Sequence, residues 1–246
     1  VNLILLEPGE IGDGGVVRLR DARARHVSSV LNVARGQQVR VGVVDGPRGL
    51  GDVESAAGDD VVLRCVFEAA APPRPAVDLL LALPRPKVLQ RLWAQIAALG
   101  VGRIVLTNAE KVERHYFDTH ILSPDGYRPL LLEGLQQARD TRVPDVSIHR
   151  RFRPLIEDEL DDLIGDATRI VAEPAGARAI ADVVASRPPA RMLLAVGPEG
   201  GWNRFELEML GAHGFTSISM GPRTLRSDTA CIALLALAHD AMRSLQ

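Results

Sequence analysis

Lysine is almost missing from this 246-residue chain: only Lys87 and Lys111 occur, and arginine carries nearly all of the positive charge. A genome-wide base composition is the simplest account of that bias. Cysteine is as scarce. Cys65 and Cys231 lie far apart and show no metal-ligand spacing, so neither a disulfide nor a zinc site is expected. No apolar run approaches the roughly 18 residues of a membrane span. The apolar patch at Val1–Gly9 has no basic lead-in and no small-residue cleavage site, so it does not read as a signal peptide. Net charge is −2, which leaves no global basic field; a nucleic-acid partner would have to be attracted by a local patch. What remains is an ordinary soluble composition, 46% hydrophobic and 24% charged, enough for one large domain or two modest ones. It fits a cytoplasmic enzyme.

The pattern changes near residue 70. Before it, short apolar runs at Val16–Leu19, Gln38–Val44 and Val61–Phe67 alternate with turn residues and predict a small β-barrel or sandwich. One helix is expected there over Ala22–Val33, capped by Asp21, with Val27, Val30 and Leu31 on one side and Gly36 closing it. Pro72, Pro73 and Pro75 then make a stiff linker, which places domains at 1–71 and 76–246. Beyond it, strand-like runs at Val77–Leu83, Arg103–Thr107, Val146–His149, Arg169–Ala172, Met192–Val196 and Thr216–Met220 alternate with helical stretches. Those stretches are Pro86–Leu99, about Pro129–Ala138, about Pro154–Ile164, Ala177–Ser186, Arg204–Ala212 and Thr229–Leu245. Such alternation predicts an α/β fold, a mostly parallel sheet with helices on both faces. Asn203 with Glu206 three residues on reads as a capping box, and Trp202 as its staple to Leu207. The last helix is apolar nearly all round, as expected of a helix buried in a core or a subunit interface.

Two loops near the end of the chain concentrate the chemistry. Leu193–Val196 runs into Gly197-Pro198-Glu199-Gly200-Gly201-Trp202, and Ile218–Met220 into Gly221-Pro222-Arg223-Thr224-Leu225-Arg226-Ser227-Asp228-Thr229-Ala230. A strand that ends in a glycine-rich turn and feeds a helix is how open α/β sheets form ligand pockets, since glycine lets a ligand approach the backbone. The first loop is neither a dinucleotide fingerprint nor a Walker A loop. Together the loops offer backbone N–H and C=O groups, carboxylates and arginines, suited to a hydrogen-bonding heterocycle with a charged tail.

The two motifs, in this order and about twenty residues apart, resemble the signature of the RsmE family of ribosomal RNA uridine-N3 methyltransferases, within the SPOUT superfamily. His26-Val27-Ser28-Ser29-Val30-Leu31 followed by Arg35-Gly36-Gln37-Gln38-Val39 is similar to that family's PUA-like RNA-binding β-barrel. Ala98-Leu99-Gly100-Val101 and Arg142-Val143-Pro144-Asp145-Val146 resemble its middle. Gln137-Ala138-Arg139-Asp140 departs from the family's usual Gln, small residue, Gly and Arg. The resemblance implies a trefoil-knotted C-terminal domain with the knot at about 192–246, a homodimer, and ribosomal RNA or the small ribosomal subunit as partner. It also implies S-adenosylmethionine held by Val196, Gly197, Pro198, Glu199, Gly200, Gly201, Met220, Gly221, Thr224, Leu225, Thr229 and Ala230, with no metal.

Under that reading the reaction is attack by uridine N3 of 16S ribosomal RNA on the donor methyl. Arg226 would hydrogen-bond the uracil carbonyl where negative charge gathers. Asp228 or Glu199 would accept the proton or orient the arginine, though Asp228 also suits an N-cap and Glu199 a loop-ordering role. For RNA contact, Arg18, Arg20, Arg23, Arg25, His26, Arg35 and Arg40 stand against only Asp21 in their span, and Arg223 is a candidate phosphate contact. Competing readings are methylation of a ribose 2′-hydroxyl or another base, or an RNA-binding module without catalysis.

Overall fold

Runs of Val, Leu and Ile become strands wherever both of their faces can be buried. The computed structural model describes residues 3–176, 178–186 and 188–244, with only the backbone of Val30. The chain divides into two compact units. One comprises Val1–Arg74 with Leu131–Val143, and the other Pro75–Leu130 with Pro144–Gln246. The proline-rich segment does not foretell the return of residues 131–143 to the first unit.

The first unit holds β1 (Ile4–Leu6), β2 (Val16–Leu19), a short helix α1 (Ala22–Arg25), β3 (Gln38–Val43), β4 (Arg48–Ala57) and β5 (Asp60–Phe67). The strands form one sheet in the order β1-β3-β4-β5-β2, with β1 and β3 parallel and the rest antiparallel. Leu6, Val17, Leu19, Val27, Val41, Val53, Val61 and Leu63 make its core. β1 and the glycine-rich β4 carry too few alternating apolar residues to be read as strands. The helix is shorter than its pattern. A wide turn, His26–Val30, follows α1, and Asn32 ends it at φ 49°. Gly36 therefore closes nothing; its amide bonds to the Val53 carbonyl.

The second unit runs β6 (Val77–Ala82), α2 (Pro86–Leu99), β7 (Arg103–Thr107), the start of α3 (Pro124–Ala138), whose residues from Leu131 on belong to the first unit, β8 (Asp145–His149), α4 (Phe152–Pro154), a wide turn at Leu155–Glu159 and α5 (Leu160–Ile164). It continues β9 (Thr168–Ala172), α6 (Ile180–Ser186), β10 (Met192–Val196), α7 (Arg204–Ala212), β11 (Thr216–Ile218) and α8 (Ser227–Arg243). Its six strands are all parallel, in the order β11-β9-β10-β6-β7-β8. Central strands β6 and β10 are buried at every residue, which explains why β10 is apolar throughout and β6 is apolar except at Asp78, whose buried carboxylate is paired with Arg191.

Several helix and strand ends differ from the sequence reading. α3 begins at Pro124, which takes the first-turn place expected of Pro129; Pro129 lies inside the helix. The expected start of α6 at Ala177 and end of α8 at Leu245 lie outside the described residues. Arg139 follows α3 at φ 57°, while the Asp140 amide bonds the Leu135 carbonyl. That is the left-handed stop at which glycine is favoured.

Candidate active site

β11, β9 and β10 are neighbours in the parallel sheet, so their carboxyl ends emerge side by side. Ligands of open α/β sheets bind beyond such ends. Three loops leave there: 173–176 after β9, 197–203 after β10 and 219–226 after β11. Together with α8 they enclose a cavity of about 390 Å³. The segments after β9 and β11 are tied to each other. The Glu173 amide bonds the Ile218 carbonyl at 3.0 Å, the Ser219 amide bonds the Arg178 carbonyl at 2.9 Å, and Ser219 Oγ donates to the Pro174 carbonyl at 3.2 Å. Gly176 passes so close to β11 that a Cβ there would stand 2.4 Å from the Ile218 carbonyl carbon.

The first glycine-proline loop is fixed from behind. The Asn203 carboxamide accepts the Glu206 amide at 2.8 Å, and Glu206 accepts the Asn203 amide at 2.7 Å, completing the expected capping box. Glu206 is buried and also accepts the Glu110 amide at 2.7 Å. Lys111 Nζ donates to the Gly200 carbonyl at 2.6 Å. Trp202 is 7% exposed, packs 5.5 Å from the Phe152 ring and lines the cavity. Its Nε1 is buried with no hydrogen-bond partner. A Cβ on Gly197 would lie 3.1 Å from that nitrogen, so glycine is what brings the backbone against the indole. A buried donor left unpaired is costly, and a ligand acceptor would satisfy it.

Eleven of the twelve expected cofactor residues line this cavity: Val196, Gly197, Pro198, Glu199, Gly200, Gly201, Met220, Gly221, Thr224, Leu225 and Ala230. Thr229 does not. It is exposed, and its hydroxyl lies 3.5 Å from Asp228 Oδ1. Ala172–Ala175, Trp202, Ser219, Ser227 and Leu234 line it unanticipated, and Arg223 joins them. The 173–176 loop had a legible signal, because Glu173-Pro174-Ala175-Gly176 repeats the strand–proline–glycine pattern of the other two.

The expected catalytic residues sit at the rim. Glu199 lines the cavity, and its Oε1 accepts the Arg85 amide at 3.4 Å. Asp228 lies in the first turn of α8 rather than at its cap. Its Oδ1 accepts the Thr229 amide at 2.8 Å and its Oδ2 stands 3.5 Å from Arg91. Both carboxylates thus meet the 85–91 segment after β6. Arg226 is the N-cap of α8 and is exposed, and no carboxylate pairs with it among the described residues. The cavity is lined by Leu225 and Ser227 on either side of it. Among the described residues, none of the helices is long and apolar enough to cross a membrane. Burial pushes the Cys65 thiol up to about 11 and the Cys231 thiol up to about 12, which keeps both protonated and unreactive.

The arginines of the first unit divide. Arg18 forks onto Asp60, which Arg20 approaches at 3.8 Å, and Arg25 stands 3.9 Å from Asp59. Arg23 is committed to Glu10, Asp21 and the Leu5 carbonyl. The local sequence therefore overstated the patch, since carboxylates from the β4–β5 turn and from Glu10 neutralise much of it. His26, Arg35 and Arg40 are exposed.

A model of the RNA methyltransferase domain matches residues 72–239. The chain belongs to this RNA methyltransferase family. Among similar RNA methyltransferases, the ribosomal RNA small subunit methyltransferase E of Treponema pallidum is 29% identical over 97% of this chain and 92% of its own. Enzyme E 1 of Borreliella burgdorferi is 22% identical, covering 95% of both. The crystal structure of ribosomal RNA small subunit methyltransferase E from Neisseria gonorrhoeae, bound to S-adenosyl methionine, superposes with a TM-score of 0.78 at 20% identity over 100% of this chain and 98% of that one. This RNA methyltransferase accordingly shares their α/β fold with a parallel sheet.

Proposed function

We propose that this chain methylates N3 of a uridine in 16S ribosomal RNA of the small subunit, with S-adenosylmethionine as donor. The observation that carries the reading is the cavity enclosed by the three loops, with the unpaired Trp202 N–H in its wall. The fit is chemical. Aliphatic Val196, Leu225 and Leu234 suit the adenine faces, loop backbone groups suit its polar edge and the ribose, and Trp202 Nε1 supplies a donor. The twelve residues expected to hold the cofactor stand in this proposal, Thr229 through the α8 first turn rather than the wall. The names of the bacterial relatives support the substrate.

When bound, S-adenosylmethionine supplies an electrophilic methyl on a sulfonium. The uracil N3–H lies between two carbonyls and is weakly acidic, so its proton must leave before or during attack. Asp228 or Glu199 accepts that proton, each positioned from the 85–91 segment. Arg226, with no carboxylate holding its guanidinium, stabilises the charge that develops on the uracil oxygen. Arg223 takes a phosphate. In the first unit, which we read as a PUA-like barrel, Arg35, Arg40 and His26 carry most RNA contact, with Arg18, Arg20 and Arg25 contributing beyond their ion pairs and Arg23 serving the fold.

The remaining architecture belongs to the same reading: domains at 1–71 and 76–246, a trefoil knot about 192–246, and a cytoplasmic homodimer. Leu237, 48% exposed in the apolar middle of α8, supports a subunit contact on that helix. The test is incubation with labelled S-adenosylmethionine and unmodified small-subunit particles or naked RNA, followed by mass spectrometry of the digest. Label on uracil N3 is expected. Label on a ribose oxygen would replace the acceptor, and no label would remove the activity.

A further inference from the structure

A second cavity of about 310 Å³ lies in the same unit, beside the capped start of α7. Its walls combine features that plain packing does not need. Phe205 is 54% exposed, an unusual cost for an aromatic ring at a helix start. Asn108, immediately after β7, lines the cavity, and its Oδ1 is buried without a hydrogen-bond partner. Arg114 is exposed and has no carboxylate partner among the described residues, whereas Arg153 is paired with Glu157 at 2.8 Å. Two carboxylates also line it. Glu206 is occupied by the Asn203 and Glu110 amides, and Glu110 is exposed. Phe152 lines this cavity and packs on Trp202, which lines the loop cavity, so one aromatic pair forms a wall of each.

We propose that this cavity holds a nucleotide of the RNA substrate other than the one methylated. An exposed ring offers a stacking platform for any base. The unsatisfied Asn108 Oδ1 accepts from a base amino or imino N–H. Arg114 grips the phosphate. The Phe152–Trp202 wall keeps this base out of the donor cavity while holding it next door, so an unstacked strand is gripped close to where its neighbour reacts. This inference rests on the RNA methylation reading and goes beyond it.

The test measures binding of unmodified small-subunit ribosomal RNA to the full chain and to Phe205→Ala, Phe205→Trp and Arg114→Gln, beside calorimetry with S-adenosylmethionine. Phe205→Ala is expected to weaken RNA binding about tenfold, the scale of one lost base stack, and Phe205→Trp to restore it. Arg114→Gln should reduce the dependence of log affinity on log salt by about 0.7, the value of one single-strand phosphate contact. Cofactor affinity should stay unchanged in all three. Unaltered RNA affinity and salt slope, in a wild-type chain that binds and methylates RNA, would overturn this site and leave the methylation reading standing. A wild-type chain that binds no RNA would remove both.

Discussion

The arginines of residues 18–25 and those of the 219–226 loop look alike in sequence and differ in what the fold does with them. In the first unit, Arg18, Arg20, Arg23 and Arg25 each meet a carboxylate, and Arg23 meets two carboxylates and a backbone carbonyl. In the second, every residue from Gly221 to Arg226 is exposed, and among the described residues no carboxylate pairs with Arg223 or Arg226. A guanidinium already held by carboxylates has little field left for a ligand; one left unpaired beside a cavity has its full charge and donors. Charge density along the chain cannot separate the two cases.

The comparison breaks most visibly at Arg226. Arg226→Ala is expected to lower methyl transfer about 10²- to 10³-fold, the scale of one lost donor to a developing oxyanion, with S-adenosylmethionine affinity unchanged by calorimetry. Near-normal turnover would take the unpaired arginine out of the chemistry.

Arg23→Ala should do the opposite, lowering stability by about 2 kcal/mol in urea unfolding while leaving the salt slope of RNA binding intact. Acid sharpens this. The Arg23 guanidinium hydrogen-bonded to Glu10 holds that carboxyl below its ordinary 4.5, and Arg23 does the same to Asp21 relative to 3.8. Folded-state values below the unfolded ones mean that the unfolded chain binds protons first. This stabilisation is complete above about pH 4.5 and is lost as pH falls through the folded values. The thermal midpoint of the wild type should therefore drop more steeply below pH 4.5 than that of Glu10→Gln; parallel curves would show the pair to be inert.

The smallest effect is at Trp202. Trp202→Phe keeps the ring and removes the N–H, and should weaken S-adenosylmethionine binding about fivefold, near 1 kcal/mol for a neutral hydrogen bond. Unchanged affinity would mean that the donor does not meet the ligand.

Most strands and helices of the second unit were legible because a strand buried on both faces is apolar nearly throughout, as β10 is and as β6 is apart from Asp78, and because Asn203 and Glu206 form a capping box three residues apart. β4 was not: its pairing with β3 and β5 supplies what Arg48-Gly49-Leu50-Gly51-Asp52 does not announce. The same holds at the site. The two glycine-proline loops could be read directly; the 173–176 loop carries a similar proline–glycine signal, but the place of β9 between β11 and β10 is what brings it to the cavity.

The sequence by itself determined the elements, the loop chemistry and the family signature, since these depend on residues near one another along the chain. The tertiary structure decided which charges are neutralised, which carboxylates meet the 85–91 segment and which buried donor, the Trp202 indole, lacks a partner. Those outcomes depend on groups far apart in sequence: Asp60 reaches Arg18, and Arg91 reaches Asp228, only after the chain has folded.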